Sequence, residues 1–111
     1  ARIVHGTDVP VDPINPLASF YASVTRKTLK GEPAGGYEPE EKMTRAQALR
    51  SYTLDAAYGA FEDKIKGSLA VGKLADFVVF DQDLMNVDEN KILDTRVMMT
   101  ILGGKVVFER Q

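Results

Sequence analysis

Two side chains near the start of the chain could take part in chemistry: His5, the only histidine, and Asp8. They stand in the run His5-Gly6-Thr7-Asp8, after the β-branched pair Ile3-Val4 and before Val9-Pro10-Val11-Asp12-Pro13. That order reads as a short strand ending in a loop. It puts Asp8 at the strand's C-terminal tip, which in parallel α/β barrels is the face where reactions occur. The same residue could instead close a turn through an Asx bond to the backbone, and both readings stand at this point. On such a strand His5 points away from Asp8, so a structural or supporting role is expected of it. One His and one Asp fall short of the three or four protein ligands that zinc takes, too few for a small metal-binding regulator. With no Cys there is no disulfide, thiolate ligand or Cys nucleophile. Ser51, Tyr52 and Tyr58 have no base beside them in the sequence, so no nucleophile is assigned.

The elements that would hold these residues can be read locally. Asn15-Pro16 is a helix start, with Asn at the N-cap and Pro at the first helical position. Leu17, Phe20, Tyr21 and Val24 then form one apolar stripe, and the helix is expected to end near Lys27 or Thr28. From Leu29 to Met43 runs a long loop broken by Gly31, Pro33, Gly35, Gly36 and Pro39, either a solvated excursion or a cover for a site through Tyr37. Thr44 and Gln47 fit a capping box, and Ala46, Leu49, Thr53, Ala56 or Ala57, and Ala60 keep helical spacing after it. Asp55 could cap a second short helix over 56–61.

The stretch Gly67 to Asp81, GSLAVGKLADFVVFD, carries the unbroken run Phe77-Val78-Val79-Phe80, which reads as a strand covered on both faces, entered through a turn at Gly72. Asp88 can cap a helical turn through Leu93. Gly103-Gly104 between two β-type runs reads as a two-residue hairpin turn. That register sets Ile101 against Val106, Met99 against Phe108 and Thr100 against Val107, with apolar groups on both faces. Taken alone, such a surface is expected to self-associate.

A length of 111 residues suits one domain and is too short for a (β/α)8 barrel, which takes about 250. Apolar content of 44% and charged content of 27% are those of an ordinary globular protein. A formal net charge of −2 gives no electrostatic footprint for nucleic acid or an anionic membrane. No apolar run approaches membrane-spanning length and no signal peptide is visible, so a cytoplasmic location is the default expectation.

GSLAVGKLADFVVFD closely resembles the segment that follows the barrel in amidohydrolase-superfamily enzymes. HGTDVPV, TRAQALRSYTLDAAYGAF and TRVMMTILGGKVVFER extend the similarity over nearly the whole chain. Together they look most like the branch of N-substituted formamide deformylases and N-acyl-D-amino-acid deacylases. The resemblance implies an α/β fragment. Residues 1–64 would be the end of a (β/α)8 metal-dependent hydrolase barrel, with its last strand, long loop and helices. Residues 65–111 would be part of the associated C-terminal β-sandwich, with the Gly-Gly hairpin.

In that family HGTD matches the G-[ST]-D motif closing the last barrel strand. The resemblance therefore implies that Asp8 is the catalytic residue and a metal contact, taking a proton from the attacking water. An Asp is ionised at neutral pH and suits a general base. The family's other ligands, including an HxH pair, are not among these residues. The complete enzyme is then expected to use a divalent metal, zinc foremost, none of it tightly bound to this chain alone. It would hydrolyse a non-peptide C–N bond of a small amide-type substrate, with no nucleic acid or membrane partner. The alternative is a non-catalytic small domain that self-associates or docks on a partner.

Overall fold

A computed structural model describes residues 1–111. Helix α1 (Pro16–Thr25) starts where the sequence says it should, with Asn15 Oδ1 accepting from Leu17 N at 3.0 Å and Pro16 opening the first turn. It stops at Thr25, short of the expected end, because Arg26 turns left-handed at φ 57°. The turned backbone is held by Tyr37 N donating to Arg26 O at 2.8 Å and Arg26 Nε donating to Tyr37 O at 2.9 Å. The following loop is therefore folded back on α1, with one 3-10 turn at Pro39–Glu41 and Met43 N bonded to Ser23 O. Tyr37 itself stays largely exposed.

Helix α2 (Arg45–Tyr52) carries the complete capping box between Thr44 and Gln47. Its inward face differs from the expected one: Ala46 and Leu49 are exposed, whereas Ala48 and Ser51 are buried. Hydrophobic spacing misses this face because Ser51, and Asp55 just beyond it in the next helix, are polar yet buried and satisfied within the chain. Ser51 Oγ donates to Ala48 O at 2.7 Å, and Asp55 accepts from Arg50 Nε at 3.1 Å. Thr53 (φ −117°, ψ −91°) breaks the helix, and α3 (Leu54–Gly59) follows at once with Asp55 inside its first turn, not at its cap.

Three strands, β1 (Phe77–Phe80), β2 (Val97–Leu102) and β3 (Lys105–Glu109), form an antiparallel sheet in sequence order. Gly103 and Gly104 both have positive φ, 57° and 78°, as a type I′ hairpin turn requires. Ile101 faces Val106 as expected, but the pairing then slips: Thr100 faces Phe108 and Met99 faces Glu109. Val107 is the extra residue of a β-bulge. A second bulge, at Met98, separates the Val79–Met99 and Phe80–Val97 pairs.

The core joins α1, α2 and the segment between β1 and β2: Leu17, Phe20, Tyr21, Ala48, Leu84 and Ile92, with Phe80 and Leu93 packed against them. It draws side chains from both 1–64 and 65–111. The 3-10 helix at Glu89–Asp94 is capped by Asp88 and tied to the segment just after α1 by the Lys27–Glu89 ion pair at 2.7 Å. Phe77, Val78 and Val79 are exposed, so β1 is not covered on both faces in this chain. No helix is long and apolar enough to cross a membrane.

Candidate functional site

The N-terminal stretch forms no strand. A strand needs a neighbour with open main-chain groups, and the neighbours here are α2 and α3, whose backbone bonds are largely internal. Only the last helical carbonyls are free, and one of them, Ser51 O, accepts from His5 N at 3.1 Å. Val4 lies against Gly59, where an added Cβ would come within 2.9 Å of it. Arg2 stacks its guanidinium 3.8 Å above the ring of Tyr58.

His5 turns inward. Its Nδ1 lies 3.0 Å from Ser51 Oγ, and its ring packs on Tyr52 with centroids 4.9 Å apart. The Ser51 hydroxyl hydrogen is already given to Ala48 O, so the serine oxygen can only accept from His5. This fixes the proton on Nδ1. It also removes Ser51 as a nucleophile, since its proton is committed elsewhere and the side chain is 1% exposed.

Asp8 goes the other way. It is exposed, with φ 53°, in a turn closed by Val11 N donating to Asp8 O at 2.8 Å. Asp tolerates this left-handed conformation better than most residues. The turn bond uses the main chain, and no hydrogen bond or ion pair engages the carboxylate, so the Asx alternative is not what the structure forms. His5 and Asp8 thus lie three residues apart with opposite surroundings, one packed and one free.

Beside His5 and Gly6 runs a shallow cleft of about 340 Å3, bordered by Ser19, Ser23, Arg26 and Glu41. Arg26 is engaged there by Glu38 at 3.4 Å. No three His, Cys, Asp or Glu side chains converge anywhere in the chain, and Asp8 offers an ion a single carboxylate. These residues do not by themselves fit a resident metal. The groups whose titration is displaced lie elsewhere. Lys27 is raised by its hydrogen bond to Glu89, Asp81 is lowered by the Arg96 backbone N–H and guanidinium, and Asp83 is lowered by Asn86 and the Met85 N–H. Lys27 and Asp81 brace joints between elements, and Asp83 closes its own turn.

The pairing of His5 with Ser51 spans 46 positions, and no periodicity or local motif signals it. The one available hint is that Ser51 stands on a helix face otherwise made of small residues.

Residues 1–108 match the amidohydrolase family. Over 109 residues the chain is 29% identical to the N-substituted formamide deformylase of Arthrobacter pascens, covering 98% of this chain and 20% of that protein. Over 108 residues it is 37% identical to the protein LONG AFTER FAR-RED 3 of Arabidopsis thaliana, covering 97% of this chain and 18% of that protein. The chain therefore spans about a fifth of the length of these relatives.

Proposed function

Because this chain belongs to the amidohydrolase family, we propose that it serves as the C-terminal portion of a metal-dependent hydrolase acting on a non-peptide C–N bond. In that reading 1–64 close the catalytic barrel and 65–111 form part of its β-sandwich. Asp8 is the general base, receiving the proton of the water that attacks the substrate carbonyl. The observation that carries this is the state of Asp8: an exposed carboxylate, free of any internal partner, held on a turn in the sequence HGTD. A divalent metal, zinc foremost, goes with the longer protein, and its other ligands would come from outside 1–111. A small formamide-type amide is the first substrate class to try, because one relative carries the name of a formamide deformylase.

The test is Asp8→Asn in the full-length protein, with formate release from an N-substituted formamide as the readout. Loss of the general base is expected to lower kcat by about 100-fold or more with the melting temperature unchanged. Turnover within about threefold of wild type would remove Asp8 from the chemistry, since a lost general base costs far more than that.

A second reading is favoured by one observation: β1 and β3 carry Phe77, Val78, Val79, Val106, Val107 and Phe108 exposed. On its own the chain would then self-associate through this sheet and catalyse nothing. Sedimentation across a hundredfold range of concentration checks it, and a constant monomer mass would dismiss it.

A further inference from the structure

We infer that His5 is a positioning residue for Asp8, an inference that rests on the reading of Asp8 as the general base. Three contacts hold His5: its N–H on Ser51 O, its Nδ1–H on Ser51 Oγ, and its ring on Tyr52. Ser51 is itself immobilised, 1% exposed and bonded to Ala48 O within a helix that has a complete capping box. Beyond His5 the support ends. An added Cβ at Gly6 would touch nothing within 4 Å, and the Asp8 side chain has no partner. His5 is thus the last residue hydrogen-bonded to the helices before the turn, three residues ahead of Asp8. The main chain that carries Asp8 is restrained on one side by the seat of His5 on α2 and on the other by the Val11–Asp8 turn bond.

The competing role for His5 is direct. Its Nε2 has no partner within the chain, and the residue borders the cleft of Ser19, Ser23, Arg26 and Glu41. The two roles use different ring nitrogens, which makes them separable. Asn at this position can present an amide N–H where Nδ1–H stood, but nothing where Nε2 stood. Ser51→Ala removes the acceptor while leaving His5 whole, and it changes little volume in a buried site.

In the full-length protein, kcat, KM and melting temperature are measured for His5→Phe, His5→Asn, Ser51→Ala, the His5→Phe/Ser51→Ala double variant and Asp8→Asn. Misplacing a catalytic group by about 1 Å can cost on the order of 100-fold, so His5→Phe and Ser51→Ala are each expected to lower kcat about 10- to 100-fold with KM within about threefold. The double variant should be no worse than the poorer single one, because both break one link. His5→Asn should restore kcat to within about threefold of wild type, since it keeps the donor that Ser51 accepts. Wild-type kcat in Ser51→Ala overturns the inference, and so does a His5→Asn as impaired as His5→Phe, which would put Nε2 on the reacting atoms. Full activity in Asp8→Asn sinks the base assignment and this inference together. An inactive Asp8→Asn beside an unaffected Ser51→Ala sinks the inference alone.

Discussion

Asp81 shows how a single carboxylate can hold two elements without touching chemistry. It receives the Arg96 backbone N–H and the Arg96 Nε, both at 2.8 Å, while its own N–H donates to Arg96 O at 3.1 Å. These bonds fasten the end of β1 to the start of β2. The N–H and guanidinium hold the Asp81 carboxyl below its ordinary value. A carboxyl lowered in the folded state adds stability above the unfolded pKa of about 4, and that stability is lost as pH falls through the folded value. Urea midpoints are therefore expected to drop as the pH falls below about 4, and Asp81→Asn should flatten that drop. An unchanged acid slope in the variant would show that the bonds contribute nothing through the charge. Asp8, by contrast, has no such bonds to lose.

At the level of elements, the end of α3 shows a local rule broken. Phe61 N donates to Tyr58 O at 2.9 Å and Glu62 N to Ala57 O at 2.8 Å, the paired bonds of a Schellman motif. Its left-handed position is normally Gly, yet here it is Phe61 at φ 61°, with 95% of its surface exposed. Phe61→Gly should therefore raise the unfolding free energy by about 0.5–1 kcal/mol, since a left-handed side chain costs about 1–2 and almost no burial is lost. Chemical denaturation reads this directly, and a destabilised variant would mean that Phe61 makes contacts its exposure hides. Thr44→Ala is expected to cost about 1 kcal/mol, with loss of the capping box at the start of α2.

These elements also show what sequence can and cannot reveal. Asn15-Pro16, Thr44 with Gln47, and Gly103-Gly104 were legible because each feature is written in a few adjacent residues. The inward faces of α2 and α3 were not, because Ser51 and Asp55 are polar residues whose partners, His5 and Arg50, lie distant in sequence or on another helix. The strand expected before Asp8 was not formed, because pairing depends on a neighbour that no local pattern describes. The bulge at Val107 has no sequence signal for a third reason: apolar residues on both faces of β3 leave alternation unable to fix a register. At the site, the motif HGTD drew attention to Asp8, while the seating of His5 on α2 had no sequence signal.

For the molecule as a whole, surface area carries the weight. The chain exposes 7791 Å2, where a self-contained monomer of its 12.2 kDa would expose about 6,100 Å2. Its radius of gyration, 14.7 Å, likewise exceeds the roughly 13 Å expected for its length. The excess of about 1,700 Å2 is about twice the roughly 800 Å2 that one partner buries in a standard protein interface. Some of the exposed apolar side chains lie on the sheet, where Val78, Thr100 and Phe108 line up across the three strands. Val78 and Phe108 are both exposed, at 43% and 44%. A Lys at Val78 then has opposite consequences in two settings. In the 111-residue chain it removes little packing, so stability should change by no more than about 0.5 kcal/mol, and any self-association should weaken by at least about tenfold. In a longer amidohydrolase that covers this sheet, the same Lys would lose the burial of a Val and leave a charge against apolar neighbours, costing about 2 kcal/mol or more. Paired melts of Val78→Lys in both forms separate the cases. Equal tolerance in the two would mean that the sheet stays open in the longer protein, and that 65–111 is not the sandwich half its family membership suggests.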